Sequence, residues 1–90
     1  MHDDLRRQIE ALPDTPGIYV FRNLAGEALY VGKAKSLRKR VPAYLGRDLE
    51  PRLAAMIDLA VSVECVATAT EAAALMLENN WIKRHRPRYN

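Results

Sequence analysis

Residues 17–40 read Gly17-Ile18-Tyr19-Val20-Phe21-Arg22, then Asn23-Leu24-Ala25-Gly26, then Glu27-Ala28-Leu29-Tyr30-Val31-Gly32 and finally Lys33-Ala34-Lys35-Ser36-Leu37-Arg38-Lys39-Arg40. The first six residues are β-branched or aromatic around an alternating pattern, and Asn23 to Gly26 have turn chemistry. Strand character resumes from Ala28 to Gly32, which together predicts an antiparallel hairpin. A four-residue loop over 23–26 pairs Arg22 with Glu27 and sets Tyr19 opposite Tyr30. Directly opposed residues share a face, so both phenols would line one surface, whereas a one-residue slip would separate them. Ser36 is a good N-cap for a helix through Leu37, Arg40 and Val41. Two phenols and a run of cations are thus brought together by local chain, which is the chemistry of a phosphate site.

Outside this stretch the composition bounds the answer. Ninety residues make one small domain, 1–90, because a core of this size cannot be usefully subdivided. No apolar run approaches the roughly 18 residues of a membrane span. Met1-His2-Asp3-Asp4 is acidic where a secretory leader carries basic residues. One cysteine, Cys65, leaves no internal disulfide and points to the reducing cytoplasm, and its spacing suggests no structural zinc. The formal net charge of +3 is unevenly spread. Residues 33–40 hold five Lys/Arg and residues 83–90 hold four, with no acid in either. The remainder carries five basic against eleven acidic residues. Such asymmetry marks a polyanion-binding face on an acidic body.

The other elements follow from periodicity. Asp3 or Asp4 can cap a helix with Leu5, Ile9 and Leu12 on one face, ending at Pro13-Asp14-Thr15-Pro16. Pro42 is expected to end or kink the helix begun at Ser36, leaving Ala43 to Glu50 irregular. Pro51 suits the first turn of a helix that turns Leu53, Met56, Ile57 and Ala60 inward. Val61 to Ala67 reads as a third strand with Val61, Val63 and Cys65 on one side. Thr70 caps a last helix that runs to about His85 and stops before Pro87. The chain ends at Arg88-Tyr89-Asn90 directly after it, as an excised N-terminal domain of a longer protein would.

Glu78 is the most informative single residue. Its helical neighbours Ala74, Leu75, Trp81 and Ile82 are all apolar, which puts a carboxylate on the face expected to pack on the sheet. Such a group either ligates a hard divalent cation such as Mg²⁺ or forms a buried salt bridge with an arginine. Tyr19 and Tyr30 could simply pack, but next to Lys33 and Arg40 the positive charge is expected to lower a phenol's pKa and open a role as base. Lys33 and Arg40 are placed to clamp one phosphate. His2 and His85 fit no metal motif. Nucleotide triphosphatase, zinc-protease and serine-esterase signatures are missing from the sequence.

Gly17-Ile18-Tyr19 followed by Tyr30-Val31-Gly32 resembles the signature of the GIY-YIG nuclease family. Lys33 to Val41, Leu77 to Lys83 and Arg86-Pro87-Arg88-Tyr89-Asn90 are similar to the N-terminal domains of UvrC proteins within it. The resemblance covers nearly everything from Thr15 onward; Val31 stands where the signature has isoleucine, and Pro42 falls where relatives continue the helix. It implies an α+β fold, a small three-stranded antiparallel sheet flanked by helices, and metal-dependent incision of DNA on the 3′ side of a lesion. By position it implies Tyr30 as general base supported by Tyr19, and Lys33 and Arg40 on the scissile phosphate. Tyr44 would line the site, Glu78 would be the one protein ligand of Mg²⁺ or Mn²⁺, and Asn90 would order the site. Lys35, Arg38 and Lys39 would join Lys33 and Arg40 in DNA binding. The implied partners are damaged double-stranded DNA and UvrB, reached through parts outside these residues, in a UvrA/UvrB-dependent system. A stand-alone nuclease of the family and a non-catalytic DNA-binding module are the alternatives; a carboxylate on an apolar face argues against the second.

Overall fold

The structure is a computed structural model that describes residues 3–90, so the reading of His2 lies outside the described residues. The elements are α1 (Asp3–Glu10), β1 (Gly17–Arg22), β2 (Ala28–Ala34), α2 (Leu37–Arg40), α3 (Pro51–Leu59), β3 (Ser62–Ala67) and α4 (Glu71–His85). The strands form one antiparallel sheet in the order β2-β1-β3, so the hairpin strand β1 is central. One face carries Tyr19 and Phe21 into a core with α1, α2 and α3, built on Leu5, Ile9, Leu37, Met56 and Ile57. The opposite face carries Ile18, Val20 and Val31 against Leu77, Trp81 and Ile82 of α4. Both faces of β1 are therefore covered, which accounts for its unbroken apolar run. Among the described residues no helix is long and apolar enough to cross a membrane.

The hairpin forms, but its register differs from the expected one. Tyr19 pairs with Gly32, Phe21 with Tyr30 and Arg22 with Ala28, with an irregularity between Phe21 and Arg22 that leaves Leu29 as the extra residue. Asn23 holds the turn: its backbone carbonyl accepts from the Gly26 N–H at 2.9 Å, and its side-chain oxygen accepts from the Glu27 N–H at 2.9 Å. Gly26 takes the left-handed φ of 85° that a side chain would resist. Because the turn moves the pairing by one residue, to Arg22 with Ala28, and the bulge by one more, the Tyr19 pairing shifts by two and the face assignment survives: Tyr19, Phe21 and Tyr30 share a side.

The second correction concerns Ala43 to Leu45; the α-helix does end at Arg40, just before Pro42, and residues 46–50 are irregular, as expected. Pro42 does not break the chain into coil; Val41–Leu45 continues from α2 as a 3₁₀ segment with the proline in its first turn, where its missing N–H costs nothing. That turn is what carries Tyr44 into the core. Thr70 caps α4 as expected, its hydroxyl accepting from the Ala73 N–H at 3.0 Å. The helix closes at Arg86, whose N–H donates to the Ile82 carbonyl at 2.9 Å from a left-handed φ of 43°.

Two side-chain amides border the sheet. On β2, Asn90 Oδ1 accepts from the Val31 N–H at 2.9 Å and its Nδ2 donates to the Val31 carbonyl at 2.8 Å. On β3, Gln8 Oε1 accepts from the Val63 N–H at 2.9 Å, and its Nε2 donates to the Val61 carbonyl at 3.3 Å.

Candidate functional site

Three phenols converge under the hairpin. Tyr19 and Tyr44 share a hydroxyl–hydroxyl hydrogen bond of 2.7 Å, and both are buried, at 1% and 3% exposure. The Tyr30 ring lies 6.5 Å from Tyr19 and 6.1 Å from Tyr44 and is half-buried. The expectation that both hairpin phenols line a surface is therefore corrected. Tyr19 points inward under α1 and the 3₁₀ turn, and only Tyr30 reaches solvent. The two signature glycines explain the packing. A β-carbon on Gly32 would stand 2.3 Å from the Tyr19 ring and hydroxyl, and one on Gly17 would stand 2.4 Å from the Val66 carbonyl of β3.

The expected direction of the phenol shift is overturned as well. Burial, reinforced by Tyr44 and the Glu78 carboxylate, pushes Tyr30 up to about 12, and Arg40 pulls against this without prevailing. Burial also raises Tyr19 and Tyr44. Desolvation of a phenolate outweighs a guanidinium that is itself exposed to water. At pH near 7.5 Tyr30 is a neutral hydroxyl, with only about one part in 10⁴ to 10⁵ ionised.

Past Gly32 the chain enters α2, and the cations gather at this corner. A cleft of about 650 Å³ is lined by Lys33, Lys35, Lys39 and Arg40 together with Asp14, Ala34 and Ser36. Lys33 and Arg40 thus share one cleft, as their spacing suggested. Arg38 turns away: its Nε donates to the Leu12 carbonyl at 3.1 Å. Asp14 carries no local motif that would have marked it. The Ser36 hydroxyl donates to the Asp14 carboxylate, and this bond, with Lys39 and Arg38 nearby, holds the carboxyl below its ordinary value. The loop before β1 also grips α2 through its backbone, with Leu37 N–H donating to the Thr15 carbonyl at 2.9 Å and Arg38 N–H to the Pro13 carbonyl at 3.1 Å.

Glu78 is half-buried on α4, and its charge reaches Tyr30. The apolar face around it is narrower than its neighbours implied, since Leu75 is 45% exposed. Among the described residues the one ion pair joins Arg22 and Glu64, so Glu78 is not neutralised by an arginine. No group of three or more His, Cys, Asp or Glu able to hold a metal exists among the described residues. What the site offers a cation is one carboxylate, which suits Mg²⁺ or Mn²⁺ when water and phosphate fill the remaining positions. Asn90 clamps the backbone at Val31, and the Tyr89 N–H donates to the Leu29 carbonyl at 2.9 Å, so the chain end fixes β2 on both sides of Tyr30.

The sheet and its flanking helices are those of a GIY-YIG endonuclease domain. The chain belongs to the UvrC-like GIY-YIG domain family, whose model matches residues 15–90. It is 51% identical over 88 residues to UvrABC system protein C of Gloeobacter violaceus, covering 96% of this chain and 14% of that protein. To the same protein of Oleidesulfovibrio alaskensis it is 49% identical over 85 residues, covering 91% and 12%. The chain thus spans about one seventh or less of these relatives' length. The crystal structure of the GIY-YIG N-terminal endonuclease domain of UvrC from Thermotoga maritima, bound to its catalytic magnesium, superposes with a TM-score of 0.91 at 37% identity, covering 100% of this chain and 99% of that one. Tyr→Phe and Asn→Ala point mutants of that domain were also solved with the catalytic divalent cation bound.

Proposed function

We propose that this domain hydrolyses one DNA phosphodiester on the 3′ side of a lesion during nucleotide excision repair. The observation that carries the reading is Glu78: a half-buried carboxylate with no cationic partner among the described residues, whose charge reaches Tyr30. A carboxylate in that position is costly unless a ligand binds it. Glu78 would hold one Mg²⁺ or Mn²⁺, in keeping with the magnesium bound by the related Thermotoga domain. Such an ion supplies charge neutralisation where negative charge develops on the leaving 3′ oxygen.

The chain's own residues do the rest. Lys33 and Arg40 hold the scissile phosphate in the cleft and offset its charge, Arg40 through its fork and Lys33 as a point charge. Once its own proton has passed to solvent, the Tyr30 phenolate would accept the attacking water's proton; as the oxygen of water bonds to phosphorus, the bond to the 3′ oxygen breaks. Because Tyr30 is pushed up to about 12, it becomes a competent base only as cations assemble around it in the loaded site. Tyr19 and Tyr44 form the buried support beneath Tyr30, and Asn90 fixes its strand. In the cell the work belongs to a longer protein that meets UvrB and damaged double-stranded DNA in a UvrA/UvrB-dependent system, in keeping with the UvrABC relatives.

Glu78→Gln tests the reading. Titration calorimetry with Mn²⁺ is expected to show one site in the parent chain and none in the variant, while the unfolding free energy stays within about 0.5 kcal/mol because no ion pair is lost. Equal Mn²⁺ binding by both chains would overturn the assignment.

A further inference from the structure

The second basic run, residues 83–90, lies outside the cleft that gathers Lys33 and Arg40. Lys83, Arg84, Arg86 and Arg88 are all exposed, and none has an acidic partner among the described residues. With His85 they stand at the C-terminal end of α4, where a hollow of about 320 Å³ is lined by His85, Arg86 and Arg88 from this end and by Ala28, Leu29, Asn23 and Glu27 from the hairpin. Glu27 is already engaged, its carboxylate accepting from Asn23 Nδ2 at 2.9 Å. Arg86 is the one non-glycine residue with positive φ among those described, at a helix-closing position where glycine is the usual occupant. A side chain there costs about 1–2 kcal/mol, a strain that glycine would relieve while losing the charge.

Two rulers place the cluster relative to the site. Along α4, Lys83 to Arg86 lie five to eight residues beyond Glu78, or roughly 8–12 Å at the helical rise. Along β2, Lys33 lies three residues from Tyr30 on the other side, or roughly 10 Å. Tyr30 and Glu78 are thus flanked by cations at both ends.

We infer that the basic end of α4 is a second contact for the DNA backbone, about three nucleotide steps from the scissile phosphate for a strand laid along the helix at ~3.4 Å per step. The inference rests on the endonuclease reading and extends it to how the substrate is held. A nucleic acid fits better than a protein partner. The exposed large apolar side chains of this fold, such as Leu75 and Met76, all lie outside residues 83–90, and protein interfaces are built around an apolar core depleted in charge.

The test is binding of this chain to a fluorescent duplex between 50 and 200 mM salt with chelator present, so that no metal is required. The variants are Lys83→Ala/Arg84→Ala and Arg86→Gly. Each phosphate contact contributes about 0.9 to the slope of log affinity against log salt. The double variant is expected to lose about two from the slope and about tenfold in affinity at the lower salt. Arg86→Gly is expected to lose about one while melting no lower than the parent, which separates charge from fold. Parent-like slopes in both variants would overturn the inference. Arg40→Ala measured alongside separates the two readings. If it lowers the slope and the C-terminal variants do not, the cleft stands and the second contact falls; if the parent chain binds no duplex at all, both fall.

Discussion

Replacing Gly32 with alanine perturbs the site through its foundation. The new β-carbon would stand 2.3 Å from both Cζ and Oη of Tyr19, where ordinary contact begins at 3.4 Å, so the ring must withdraw by more than 1 Å. It has nowhere to go. Tyr19 is 1% exposed, packs edge-on against Phe21 and Tyr44, and holds the 2.7 Å bond to the Tyr44 hydroxyl. Overpacking of this kind costs about 1–3 kcal/mol, and the lost buried hydrogen bond adds about 1 kcal/mol. Removing a strand glycine returns only about 0.5 kcal/mol. The expected net loss of about 1.5–3.5 kcal/mol is a large share of the roughly 5–15 kcal/mol that holds a small domain together. For this length it lowers Tm by about 10–20 °C. Thermal unfolding followed by circular dichroism reads it directly. The same substitution in a Tyr19→Ala background should cost almost nothing further, since the obstacle is gone. A Gly32→Ala chain that melts with the parent, or a penalty that persists without the Tyr19 ring, would refute the packing argument.

Asn90→Ala removes both bonds to Val31 and is expected to cost about 1–3 kcal/mol in urea unfolding, with amide-exchange protection lost first at Val31. If Tyr30 accepts the water's proton, incision by the parent should climb with pH from 7 to 9, and Tyr30→Phe should abolish it while Mn²⁺ binding persists; an equally active variant would move the role elsewhere. Alkaline stability follows from the same group. A phenol raised to about 12 in the folded chain, against about 10 unfolded, contributes stability that is fully present below pH 10 and is lost as pH rises through 12, which tyrosinate absorbance and unfolding midpoints will register together. Arg40→Ala, placed in the full repair complex, should lose the 3′ cut by about 10²–10³-fold with the fold intact, since the side chain is exposed.

The architecture was legible because each element carries its own period or cap. Thr70, Pro51 and Ser36 mark helix starts locally, and the hairpin alternation needs no knowledge of the rest of the chain. The register was not, because the bulge that leaves Leu29 unpaired is settled by the neighbours of β2, including Tyr89 arriving from the far end of the chain. The candidate site residues were legible as types but not as environments. Whether Tyr19 is open or buried depends on α1 and the 3₁₀ turn, which no window around the hairpin contains, and that burial reversed the expected pKa shift of the phenols. Asp14 escaped notice for a similar reason: its meaning comes from Ser36, twenty-two residues on.

The paired amides of Gln8 and Asn90 bear on something other than catalysis. An open sheet border is a template on which a second chain can add a strand. Here an amide group, which offers the same donor and acceptor as a peptide unit, occupies Val31 on one border and the Val61 and Val63 groups on the other. Colloidal behaviour at high concentration therefore hangs on two polar side chains, one near each end of the chain.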